Sequence, residues 1–113
     1  MKKIALLTCL KSNDVCTRTA CLQAVQSRSD YFAPYAAEKL ELTGVWTCQG
    51  CEPLCWGDEL NLAEKLQCLQ QAGTQIVHIG CCCRQQGQWC KEIRYLAELL
   101  QQRHIQVIWG THA

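Results

Sequence analysis

Three of the four short apolar runs in this chain are followed directly by cysteine, and that coincidence limits the folds and chemistries open to it. The runs lie at residues 3–8, about 42–47, 75–80 and 105–109. They are rich in Val, Ile, Leu and Trp, so each reads as a strand. Cys9 follows the first run, Cys48 and Cys51 the second, and Cys81, Cys82 and Cys83 the third, while Gly110-Thr111-His112 follows the fourth. Segments with helical periodicity separate the runs. Leu60, Leu62, Ala63, Leu66 and Leu69 form one apolar stripe, with Gly73 as its C-terminal stop. Ile93, Leu96, Ala97, Leu99 and Leu100 form another on a helix from about 90 to 102, closed by Arg103 and His104. A first helix spans Thr19 to Ser27 through Ala20, Leu22, Ala24 and Val25, before Asp30 to Pro34 breaks the pattern.

Strands alternating with helices, each strand nearly continuous in apolar residues, predict an α/β fold with a parallel sheet covered on both faces. The expected architecture is a single domain over residues 1–113: a small doubly wound, flavodoxin-like sheet of about four strands with flanking helices and right-handed crossovers. In such sheets ligands bind beyond the carboxyl ends of the strands, where the strand order reverses. All the strand-end cysteines fall at that edge. Cys16 and Cys21, in the loop and helix start after the first strand, and Cys90, near the start of the last helix, share it. On this frame nine of the eleven cysteines reach one rim.

Dense cysteine marks either a disulfide scaffold in a secreted protein or a metal or redox site in a cytosolic one. Met1-Lys2-Lys3 and the run from Ile4 to Thr8 superficially resemble a charged leader and signal core. The run is shorter than the roughly 7–15 apolar residues of a signal peptide, and Lys11 and Asp14 follow at once. Residues 3–8 therefore read as a core strand. The odd cysteine count and the adjacent Cys81-Cys82-Cys83 also fit reduced thiols better than full disulfide pairing, so a cytoplasmic location is expected. Eleven basic against ten acidic residues leave a formal charge of +1, with no global field to attract nucleic acid. No apolar run approaches the roughly 20 residues that cross a bilayer.

Sulfurs distant in sequence but convergent in space suit a soft cation, because thiolates bind zinc, copper(I) or iron-sulfur clusters and lose their protons on binding. Helix N-termini facing the same rim add backbone N–H donors. The metal-ligand candidates are Cys9, Cys16, Cys21, Cys48, Cys51, Cys81, Cys82, Cys83, Cys90 and His112. Because adjacent side chains diverge in extended backbone, one or two of Cys81, Cys82 and Cys83 are expected to share an ion. Cys68, between Leu66 and Leu69, reads as a core residue, and Cys55 precedes the second helix. His78 reads as a hydrogen-bonded core histidine and His104 as a helix-end residue. Trp46, Trp56, Trp89 and Trp109 flank the cysteine segments and read as packing residues that also shield the rim from water. The seven glycines are scattered, and no acid-base dyad or Ser-His-Asp arrangement is visible, so hydrolase or transferase chemistry is not expected. A redox role stays open.

The run Thr47-Cys48-Gln49-Gly50-Cys51, the early Cys9, Cys16 and Cys21, the strand-end Cys81, Cys90 and the terminal Gly110-Thr111-His112 together resemble the CGGC-domain family of metal-binding proteins over nearly the whole chain. The resemblance implies a small intracellular domain that uses Cys9, Cys16, Cys21, Cys48, Cys51, Cys81, Cys90 and His112. Gln49 departs from the first glycine of the name motif, Cys82 and Cys83 extend a usually lone strand-end cysteine, and Lys91 follows Cys90 where proline is typical. With thiolates in surplus over one tetrahedral zinc, the first functional expectation is an iron-sulfur cluster serving electron transfer, sensing, or cluster and metal handling. The alternatives are zinc or another soft metal, and a metal-free thiol-disulfide oxidoreductase using Cys48 and Cys51. The partners expected are a metal ion or cluster and, in a redox role, a redox protein.

Overall fold

The computed structural model describes residues 2–10, 15–48, 59–85 and 87–112. In chain order its elements are β1 (Lys2–Thr8), α1 (Thr19–Ser27), a 3-10 segment (Asp30–Tyr35), β2 (Leu40–Thr47), α2 (Glu59–Gln71), β3 (Ile76–Ile79), a 3-10 turn (Cys81–Cys83), the two-residue strands β4 (Arg84–Gln85) and β5 (Gln88–Trp89), α3 (Lys91–Gln102) and β6 (Gln106–Trp109). β1 pairs in parallel with β2 on one side and β3 on the other, and β3 pairs in parallel with β6. The sheet order is therefore β2-β1-β3-β6, the doubly wound arrangement expected. No helix among the described residues is long and apolar enough to cross a membrane.

The two-residue period of a strand sends alternate side chains to opposite faces of the sheet. Ala5 and Leu7 of β1 and Val77 and Ile79 of β3 pack with Leu62, Leu66 and Leu69 of α2 and Ile93, Leu96, Ala97 and Leu100 of α3. On the other face Ile4, Leu6 and Ile76 pack with Cys21, Ala24 and Val25 of α1 and with Phe32 and Tyr35. Ile4 through Leu7 are completely buried, which explains the unbroken apolar run of β1. Ile4, Leu6 and Leu7 each contribute about 1.5–3 kcal/mol by leaving water. The edge strand β2 differs from expectation, since Leu42 and Val45 are exposed and only Trp46 of its large apolar residues is buried.

The helix ends follow the residues predicted for them. Gly73 stands at φ +81, and the Thr74 N–H donates to the Leu69 carbonyl at 3.0 Å, closing α2. His104 ends α3 at φ 64, with the Ile105 N–H on the Leu100 carbonyl at 3.0 Å. Cys68 corrects the sequence reading: it is exposed rather than packed in the core. At 100° per residue it lies about 100° from Leu69, off the stripe of Leu62, Leu66 and Leu69, and lines an open cavity beside Thr43–Thr47 of β2.

His78 is fully buried on the α1 face, as the sequence predicts. Its Nδ1 lies 2.9 Å from the Gly110 carbonyl, which can only accept, so Nδ1 carries the proton and Nε2 accepts from the Tyr35 hydroxyl at 2.8 Å. The Phe32 ring packs on the imidazole, with centroids 4.3 Å apart. Gly110 itself sits at φ +151, where a Cβ would meet the Tyr31 ring at 2.5 Å. Burial pushes His78 below its ordinary value, against a smaller opposing effect of the Gly110 hydrogen bond. Its folded value thus lies below the unfolded value, and the unfolded chain takes up the proton first as pH falls. The stabilisation is complete above about pH 6.5 and is lost progressively on acidification. The urea midpoint should fall from about pH 7 to 5 in the native chain, and His78→Phe should remove that component. A His78→Phe profile parallel to the native one would contradict the assignment.

Candidate metal centre

The strands deliver their ends to one edge because all four run the same way. Thr8 is opposite Thr47 and Leu7 is opposite Ile79, so Cys9, Cys48 and the segment from Gly80 leave the sheet side by side. The ladder continues one step beyond the strands. The Cys48 N–H donates to the Thr8 carbonyl at 2.9 Å, and the Gly80 N–H donates to the Leu7 carbonyl at 2.8 Å. The gap between β1 and β3 is also where the sheet order reverses, the place where such folds bind ligands.

Cys81, Cys82 and Cys83 form a 3-10 turn rather than the extended backbone expected, which removes the reason to keep their side chains apart. The β4–β5 hairpin, which the sequence did not announce, folds back so that the Cys90 N–H donates to the Cys83 carbonyl at 2.9 Å. Four cysteines pack around the turn. The Cys9 N–H donates to Cys82 Sγ at 3.3 Å, the Leu10 N–H donates to Cys48 Sγ at 3.3 Å, and the Cys83 thiol faces the Leu7 carbonyl at 3.8 Å. Cys9, Cys48 and Cys83 are buried in the cluster under α2 and α3, with Cys82, Cys90, Trp89 and Trp109 packed against it. The two tryptophan rings lie 5.1 Å apart and pack against this cluster, half-buried.

Charge repulsion governs what this group can do. The Cys83 thiol is pushed strongly upward by its hydrogen bond with Cys82, then by burial, then by the nearness of Cys82, Cys9 and Cys48. Several thiolates cannot coexist in so small a volume without a cation. Cys21 lies on the other face, its sulfur 3.2 Å from the Thr111 hydroxyl. Burial raises its thiol most; the Thr111 bond opposes that rise, and Cys82, Cys16 and Cys81 add to it. Cys81 Sγ donates to the His112 carbonyl at 2.8 Å, tying the segment after β6 to the rim. Cys90 caps α3 but turns to Glu92, donating to its carboxylate at 3.1 Å; burial first, and then that bond, push the thiol up to about 11. The bond correspondingly holds the Glu92 carboxyl down.

Arg18, Thr8 and Thr111 complete the rim, and none was singled out from sequence. Arg18 precedes α1 in the left-handed region at φ 65 and places a positive charge at a helix N-terminus, two costs a chain normally avoids. Its guanidinium donates to Thr8 Oγ1 at 3.3 and 3.2 Å and to the carbonyls of Cys16 at 2.9 Å and Cys9 at 3.5 Å. Its own N–H donates to Cys16 Sγ at 3.4 Å. A cation against the dipole beside three early cysteines is the signal that points to an anionic site.

Cys9, Cys48 and Cys83, with Cys82 against them, thus pack in one cluster, Cys21 lies on the other face, and Cys90 engages Glu92. Cys51, and with it the second half of the C-x-x-C motif, lies outside the described residues, as do Cys55 and Trp56. Among the described residues no group of three or more Cys, His, Asp or Glu side chains is placed so that it could hold a metal ion. The donor chemistry nonetheless fits a soft cation. The convergent groups are sulfur, and backbone N–H groups already point at three of them.

The family model of the CGGC domain matches residues 3–112, nearly the whole chain. Comparison with curated proteins and with solved structures gives no match.

Among the described cysteines, thiol alkylation of the native, metal-free chain near pH 8 should modify the exposed Cys68 first and the fully buried Cys83 last. Glu92→Gln should speed modification of Cys90 severalfold by removing the negative charge that opposes ionisation of its thiol. Mass spectrometry of timed digests reads both; equal rates at Cys68 and Cys83, or an unchanged Cys90, would contradict this geometry.

Proposed function

Because this chain belongs to the CGGC-domain family, we propose that it is a metal-binding protein whose centre lies between the carboxyl ends of β1, β2 and β3 and carries an iron-sulfur cluster. The observation that carries the reading is the meeting of Cys9, Cys48, Cys82 and Cys83 from three strand ends at the point where the sheet order reverses. These four, with Cys51 from the C-x-x-C motif, are the proposed ligands. Bound iron and sulfide would supply one-electron chemistry and would neutralise thiolates that the protein cannot hold together alone.

The chain's own contribution is orientation and charge. The N–H groups of Cys9 and Leu10 stabilise negative sulfur at Cys82 and Cys48, and Arg18 places a cation beside the Cys9 and Cys16 carbonyls. Trp89 and Trp109 limit water at the α3 side. Sulfur in surplus over a single tetrahedral zinc favours a cluster over zinc, with electron transfer, sensing or cluster handling as the role.

Protein purified without oxygen should be brown and contain iron and acid-labile sulfide in comparable amounts. Cys48→Ser should remove most of both, whereas Cys68→Ser should leave them unchanged. Stoichiometric zinc without iron or sulfide would replace the cluster by a thiolate zinc site. Metal-free protein with a rapidly exchanging Cys48–Cys51 dithiol would defeat metal binding and favour an oxidoreductase.

A further inference from the structure

The sheet order gives β2 a partner on one side only, and at 8 residues it is twice the length of β6, the 4-residue strand at the opposite edge. Long exposed edges invite pairing with another chain, and charges or bulges usually blunt them. β2 carries both. Ile4 is opposite Leu42 but Ala5 is opposite Gly44, so Thr43 is an extra residue in the strand. Its hydroxyl pins the bulge, donating to the Ile4 carbonyl at 3.0 Å and lying 2.7 Å from the Thr74 hydroxyl.

The bulge resets which residues share a face. Three apart, Leu42 and Val45 would point to opposite faces of a regular strand. Here they stand beside Ile4 and Leu6 on the α1 face, and both are exposed, at 38% and 47%. Glu41, Gly44 and Trp46 stand beside Lys3, Ala5 and Leu7 on the α2 face. The Glu41 carboxylate is exposed and 3.9 Å from the Lys3 ammonium, a pair that contributes little in water. The Lys65 ammonium lies 6.0 Å from the centre of the Trp46 ring, and both residues line an open cavity of about 460 Å³ beside Gly44.

We propose that β2 pairs with β2 of a second copy of this chain, antiparallel and about a two-fold axis at Gly44, joining the two sheets into one. With Leu42 and Thr43 counted as one position, the axis sets Gly44 against its own copy, Leu42 against the partner's Val45, Glu41 against the partner's Trp46 and Leu40 against the partner's Thr47. The members of each pair lie on the same face, as cross-strand neighbours must. Leu42 and Val45 of the two copies then cover one another on the α1 face. On the α2 face Glu41 comes beside the partner's Trp46 and faces the partner's Lys65, so opposite charges meet twice, once on each side of the axis. Gly44 has no side chain to hold the strands apart at the axis. A register two positions away in either direction removes the match of Glu41 to Trp46 and Lys65. Because the strands run oppositely, the two Cys48 rims lie at opposite ends of the paired edge, on the order of 20 Å apart at the usual rise per residue, and the pairing needs no shared metal.

Sedimentation equilibrium of the reduced full chain should show a dimer at micromolar concentration, equally with and without bound metal. Val45→Lys should make the chain monomeric. Glu41→Lys should weaken the dimer about tenfold, and adding Lys65→Glu should recover most of that loss. In hydrogen exchange the amides of residues 40–47 should gain protection as concentration rises, and those of β6 none. Far-ultraviolet circular dichroism checks folding, and the charge reversals at the exposed Glu41 decide the matter if Val45→Lys loses its helix signal. A chain still monomeric at about 100 µM, a dimer that forms only with metal, or one indifferent to Val45→Lys and to the charge reversals would overturn the pairing. Protection gained in β6 in place of β2 would overturn it as well.

Discussion

β1 has a parallel partner on each side, and the positions of Cys9, Cys48 and the Cys81–Cys83 turn depend on that pairing. With Thr8 aligned to Thr47 and Leu7 to Ile79, three strand ends stop within one residue of each other at the same edge. If β3 ran the other way, Cys81 would leave the opposite end of a four-residue strand, about 13 Å off at the usual rise per residue. The hydrophobic run of β1 enforces the pairing, since Ile4 to Leu7 have cover on both faces only in the middle of the sheet. Core packing and site assembly are thus the same event.

The thiols introduce a second constraint. As neutral groups they behave as small apolar side chains and add to the core, as Cys9, Cys48 and Cys83 do. As thiolates in the same places they repel one another and lose hydration. A chain that gathers so many acidic sulfurs therefore has two states, protonated and closed by weak hydrogen bonds, or deprotonated and closed by a cation. The left-handed backbone of Arg18 and its charge against the α1 dipole are unfavourable taken alone, and negative sulfur at Cys16, which the Arg18 N–H reaches at 3.4 Å, would offset the cost of the charge.

What could be read from sequence and what could not divide along physical lines. The strands, helices and parallel order were legible because burial on both faces and a 3.6-residue stripe leave direct traces in Ile4–Leu7, in Leu62, Leu66 and Leu69, and in Ile93, Leu96 and Ala97. The rim followed from topology, and His78 from a histidine inside an apolar strand. Cys68 was misplaced because its apolar neighbours Leu66 and Leu69 carried more weight than its own angle on the helix. The 3-10 turn of Cys81–Cys83 and the hairpin after it arise from the return of the chain toward α3, which three identical residues do not encode locally. The division of the thiols between faces depends on side-chain direction at each strand end, which spacing alone does not give.

If sulfur from separate strand ends surrounds a metal, X-ray absorption at the metal edge, recorded on protein loaded during expression and kept from oxygen, reads that shell directly. The expected spectrum has a first shell of sulfur scatterers at about 2.3 Å, the usual metal-thiolate distance. A shell of only nitrogen and oxygen, or a metal edge absent from the sample, would contradict it.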